Sequence, residues 1–246
     1  MTRYVVTLAM LLAVALPAWP QAETEAPPAP PARGQREVAP TPVLSAGPSI
    51  EPLGEDRYRI GDLVLDRKAG EVRVSGAIAV VEGPLEYLIC APEGKLYESL
   101  LRADVDPYHL HLALLLIGLQ PKNNLEFQGD PATPEGDPLG IFVSWKVGDE
   151  QVTHRAEELL WEPYNEKTMT RTDWVFTGSM FADGAFAASI NKSIVAVYND
   201  PVAIINNPLA TGGDDTSYSA HAKVLPETGT EVEIIFRVAA SENEGS

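Results

Sequence analysis

The stretch Asp106-Pro-Tyr-His-Leu-His-Leu-Ala-Leu-Leu-Leu-Ile-Gly-Leu119 constrains this chain most, because its helix signals and its apolar content coincide. The Asp106 carboxylate can cap the free N–H groups of a first turn. Pro107 suits the first helical position, where a missing N–H costs nothing. Gly118 supplies a left-handed stop. Between Leu110 and Ile117 only His111 is strongly polar, so the helix is apolar on nearly every face and is expected at the centre of the fold, wrapped by other elements. It is shorter than the roughly 20 residues that cross a bilayer. Burying each of its Leu or Ile side chains would contribute about 1.5–3 kcal/mol before entropy is subtracted.

The 246 residues suffice for one domain with a sizeable core, but not all of them look foldable. Residues 1–22 place Arg3 ahead of the apolar run Val5–Leu16 and a Pro/Ala stretch ending at Ala22, the layout of a secretory signal peptide. Export to a periplasmic or extracellular location is therefore expected. An uncleaved segment is the alternative, and through it alone the chain would touch a membrane. Residues 23–48 are rich in Pro and Ala, with almost no large apolar residue, and read as a disordered tether. Residues 49–240 form the expected single domain, and 241–246 a disordered tail.

A net charge of −17 repels phosphate backbones, and no basic patch or stacking motif appears, so nucleic acid is excluded as a partner. Such a surface favours solubility and can attract divalent cations. Cys90 is the one cysteine. An intramolecular disulfide and a cysteine-held iron–sulfur cluster are thereby ruled out, and among Leu, Ile and Ala it reads as a small buried hydrophobe.

Short strands are expected at Tyr58–Ile60, Leu63–Leu65, Glu71–Ser75, Ala77–Val81 and Leu85–Ala91, with a helical or irregular piece at Ser99–Ala103. A long Pro/Gly-broken loop follows from Gln120 to Gly140. Beyond it come a hairpin turning at Gly148-Asp149 and strands at Trp174–Thr177, Ala185–Ala188, Ser193–Tyr198, Val202–Ile205, Tyr218–Lys223 and Glu231–Val238. About ten strands around one helix define an α+β fold, a mostly antiparallel β-sheet or partial barrel packed around a buried central helix.

Gly83-Pro-Leu-Glu-Tyr87, Tyr97-Glu-Ser-Leu100, His111-Leu-Ala-Leu-Leu115 with Gly118, Trp174-Val-Phe-Thr-Gly-Ser179, Asn199-Asp-Pro201, and Pro226 with Gly229-Thr-Glu-Val232 occur in an order that resembles the YdjY domain family. The resemblance spans about Glu82 to Val238. It implies an exported or envelope-associated bacterial protein with no firmly assigned activity. Some relatives carry a ferredoxin-type label, from which a chain with one cysteine departs. The family offers no catalytic residue to carry over.

Few residues suggest chemistry. His109 and His111 lie two apart, so on a regular helix they point about 200° apart and cannot share a metal. His111 is expected as a core group bonded to a backbone carbonyl. Asp214-Asp215-Thr216 follows two glycines and offers oxygen ligands, though without the spacing of a twelve-residue calcium loop. A metal site, if present, would use His111, Asp214, Asp215 and His221 around a divalent ion, and would support a metal-binding protein or metal-dependent hydrolase. Ser179 lacks the second glycine of a nucleophile elbow. Asn199-Asp200-Pro201 and Asn206-Asn207-Pro208 read as turns whose side chains bond their own backbone. With Trp174, Ser179 and Tyr198, the residues Asn199 and Asp200 are candidates to line a polar pocket, the aromatic rings facing a sugar or other ring. The leading expectation is a non-catalytic extracytoplasmic module that binds an envelope protein or a small polar ligand.

Overall fold

A computed structural model describes residues 48–239. The expected export segment, all of the tether but Pro48, and the tail lie outside the described residues. Eight strands close into a barrel in the order Glu71–Ile78, Glu231–Val238, Glu135–Val147, Trp174–Phe176, Ile205–Asn206, Ser193–Ala196, Tyr87–Cys90, Ser99–Ala103, and back to Glu71–Ile78. Two neighbouring pairs are parallel, Ser193–Ala196 with Ile205–Asn206 and Tyr87–Cys90 with Ser99–Ala103; the rest are antiparallel. The fold is thus mostly β. Three further strands, Ile50–Gly54, Arg57–Ile60 and Leu63–Asp66, extend the sheet outward from Glu71–Ile78.

The wall follows the two-residue period of a strand. Val232, Ile234 and Phe236 turn into one core with Val72, Val74, Ile141 and Val143. Closure depends on Gly76. Here Glu71–Ile78 stops pairing with Leu63–Asp66 and takes up Ser99–Ala103, and a Cβ at Gly76 would collide with the Arg102 carbonyl oxygen. The expected helical or irregular piece at Ser99–Ala103 is instead this closing strand. Leu100, Leu101 and Ala103 are wholly buried there, held by pairing on both sides. Glu71–Ile78 joins the strand expected at 71–75 to the start of the one expected at 77–81, and ends at Ile78. Glu135–Val147 begins inside the expected loop, accepting Pro138 opposite Val175. Ala185–Ala188 yields only two strand residues before a short helix, Ala187–Asn191, ends at left-handed Lys192.

The helix spans Pro107–Leu116, with Asp106 accepting from the Tyr108 N–H at 2.8 Å and Pro107 in its first turn. Its burial is graded. Pro107, Leu110, Ala113 and Leu114 enter the core, Tyr108, His109, His111, Leu112 and Leu115 are half-buried, and only Leu116, in the last turn, is exposed, at 43 %. Uniform apolarity gives no sign of which position is left open. No helix among the described residues is long and apolar enough to cross a membrane.

Leu114→Ala is expected to cost about 2–5 kcal/mol in urea unfolding, and Leu116→Ala under about 0.5 kcal/mol. Equal losses at the two positions would contradict this graded burial.

Candidate ligand-binding groove

Two Asn-rich turns organise the most elaborate polar region. The parallel strands Ser193–Ala196 and Ile205–Asn206 are joined by only residues 197–204, which loop out and return so that the Ile204 N–H donates to the Ile194 carbonyl. The Asn206 carboxamide closes that loop like a second peptide group. Its Oδ1 accepts from the Asp200 N–H at 2.8 Å, and its Nδ2 donates to the Asp200 carbonyl at 3.0 Å and to the Thr177 hydroxyl at 2.9 Å. Asn207 Nδ2 donates to the Val197 carbonyl at 3.1 Å. Both amides are fully buried, where an unpaired polar group costs about 1–3 kcal/mol.

Asn199 carries the linkage to the long loop. Its Nδ2 donates to the carbonyls of Asp130 and Ala132, and its own carbonyl accepts from the Gly129 N–H at 2.6 Å. Gly129 has φ +81°, and a Cβ there would strike the Tyr198 hydroxyl. Asn123 Nδ2 ties the same loop to the Pro201 carbonyl at 2.7 Å. The Pro/Gly-broken segment is therefore fastened to the barrel by backbone and amide bonds.

Asp200 sits at the edge of this network and lines a groove of about 550 Å³ with Tyr87, Glu93, Lys95, Tyr97 and Gln128. The Tyr87 hydroxyl donates to Asp200 Oδ2 at 2.9 Å, and Val202 N–H donates to Oδ1 at 2.8 Å. The Lys95 ammonium lies 5.1 Å from the Tyr87 ring centroid, 3.2 Å from Glu86 Oε2 and 3.1 Å from Glu98 Oε1. Gln128 Nε2 donates to Glu86 Oε2 at 2.9 Å. Burial pushes the Asp200 carboxyl upward against the bonds from Val202 and Tyr87 that favour its anion, and burial with the neighbouring Asp200 charge pushes the Tyr87 phenol upward too. Burial also pushes the Cys90 thiol up to about 12, which keeps it an unreactive hydrophobe at neutral pH.

The other residues singled out in the sequence are spread apart. Trp174 is fully buried, its indole N–H donating to Glu157 Oε1 at 3.0 Å, so it is a core residue and offers no face to a ligand. The Ser179 hydroxyl donates to the Val202 carbonyl at 2.5 Å and accepts from the Ala188 N–H at 3.2 Å, which fixes the φ +61° kink after Gly178. Tyr198 is half-buried against Gly129. His111 lies 5.4 Å from the Phe176 ring and 5.0 Å from that of Phe186, with its buried Nδ1 unpaired among the described residues and its pKa lowered by burial. The carbonyl contact expected of His111 belongs to His221, whose Nδ1 is 3.0 Å from the Glu158 oxygen and whose ring packs 4.9 Å from Trp161. Asp214 accepts from the N–H and hydroxyl of Thr216, and Asp215 is exposed. Among the described residues no three His, Cys, Asp or Glu side chains gather as a metal site. Of the residues expected to line a polar pocket only Asp200 borders this groove, while Asn199 is buried and holds the loop; Tyr87, Lys95, Tyr97 and Gln128 were not singled out, though Tyr87 and Tyr97 stand in the motifs Gly83–Tyr87 and Tyr97–Leu100.

A mostly β barrel with a fastened loop and a polar groove defines the class of this domain. Residues 63–237 match the YdjY domain, and the chain belongs to that family. No curated protein and no solved structure matches it.

A raised folded-state value means that the native Asp200 holds its proton more tightly than the unfolded chain does. Its contribution to stability is full below the ordinary 3.8 and is lost as pH rises through the raised value. Asp200→Asn is expected to remove that loss, so the stability of the variant relative to the parent should grow with pH across urea titrations from about pH 3.5 to 7. A difference independent of pH would refute the assignment.

Proposed function

We propose that this chain is a non-catalytic, extracytoplasmic binding module whose groove at Tyr87, Lys95, Gln128 and Asp200 receives a small polar ligand. One observation carries the reading: donors, acceptors and aromatic surface converge on a groove of about 550 Å³, within the range of small-molecule sites. The elements around it are rigidly supplied. Tyr87 stands on a barrel strand, Asp200 on the interlocked turn, and Gln128 on the loop that Asn199 fastens. Prior ordering of this kind lowers the entropy lost on binding. The export layout of residues 1–22 supports a position outside the cytoplasm, and an acidic surface favours solubility.

The test is amide chemical-shift mapping of the isotope-labelled protein against a panel of small polar metabolites. Ligands are expected to shift the amides of Tyr87, Lys95, Gln128 and Asp200 as a group and to be recovered chemically unchanged. Shifts confined to another surface, or recovery of an altered ligand, would overturn the proposal.

A further inference from the structure

Tyr97 is 76 % exposed at the rim of the groove, on a single 3-10 turn at Leu96–Glu98 that follows the Lys95 contact with Glu86. Its ring is held out at the edge of a polar cavity. Such a ring offers a flat face of polarised π-density to which C–H bonds are attracted. Beside it stand groups that both give and take hydrogen bonds: the ammonium of Lys95, the exposed carboxamides of Gln128 and Asn191, and the carboxylates of Glu86 and Asp200. A pyranose ring has the matching chemistry, with an apolar C–H face and a girdle of hydroxyls that act as donor and acceptor at once.

Charge selects within that class. Among the residues lining the groove the charged ones are Glu93, Asp200 and Lys95, and Lys95 is already engaged by Glu86 and Glu98. A phosphorylated or carboxylated sugar would meet this field unfavourably. The open groove holds one or two rings and lets the rest of a short oligosaccharide run out past its rim. We infer that the groove binds a neutral saccharide, one ring lying on Tyr97 while its hydroxyls reach Gln128, Lys95 and Asp200. This rests on the groove being the ligand site.

The test is titration of the isotope-labelled protein with cellotriose and with chitotriose, repeated on Tyr97→Ala, Tyr97→Phe and Tyr164→Ala. Tyr164 is 79 % exposed and does not line the groove, so it reports on unspecific contact with an exposed tyrosine. At least one trisaccharide is expected to shift the amides of Lys95, Tyr97 and Gln128. Tyr97→Ala should weaken that binding about tenfold, the scale of one lost aromatic contact. Tyr97→Phe, which keeps the ring, and Tyr164→Ala should both bind as the parent does. If other polar molecules shift the groove and neither trisaccharide does, the saccharide inference falls and the groove remains a ligand site. If nothing shifts the groove, both fall. Tighter binding of glucose 6-phosphate or glucuronate than of the neutral sugars would overturn the selection by charge.

Discussion

The carboxamide of Asn206, bonded to both the N–H and the carbonyl of Asp200, is the contact on which the rest of the candidate groove depends. Parallel neighbours in a sheet are usually joined by a crossover of a dozen or more residues. Here residues 197–204 return the chain to its starting level without a helix. A loop so short cannot pair all its own peptide groups, and the side chains of Asn206 and Asn207 stand in for the missing partners. Because these amides are buried, breaking one contact leaves a polar group without water or partner, and the geometry is correspondingly stiff.

From that turn the order spreads outward. Asn199 passes it to the loop at Gly129–Ala132, Asn123 reinforces it at Pro201, and Asp200 passes it to Tyr87 across the barrel wall. Barrel closure at Gly76 provides the frame, since Tyr87–Cys90 is held in place partly by the closing strand Ser99–Ala103. The groove thus lies where strand, turn and loop meet, and none of the three would form it alone.

Much of the frame was legible in the sequence. Alternating apolar residues marked Glu231–Val238 and the hairpin at Gly148-Asp149, and the cap at Asp106 located the helix almost to the residue. Closure was not legible, because strand partners as distant as Gly76 and Ala103 leave no local pattern, and a run such as Ser99-Leu-Leu-Arg-Ala103 suits helix or strand equally. That the helix leaves Leu116 open at its last turn was hidden, since no polar residue marks that position. The turns at Asn199 and Asn206 were read correctly as far as their local bonds, Asp200 to Val202 and Asn207 to Leu209. Their bonds to each other were out of reach of spacing rules. Trp174 drew attention as a ring platform by residue type alone; its burial against Glu157 and the exposure of Tyr97 are tertiary facts.

Hydrogen exchange on Asn206→Ala, compared with the parent protein, tests the central claim most directly. If the interlocked turn holds the groove together, amides in residues 197–204 and 125–132 should exchange at least about tenfold faster in the variant, while those of Glu231–Val238 stay protected as in the parent. Unchanged exchange in 125–132 beside faster exchange in 197–204 would show the loop to be fastened independently of the turn, and would contradict the account.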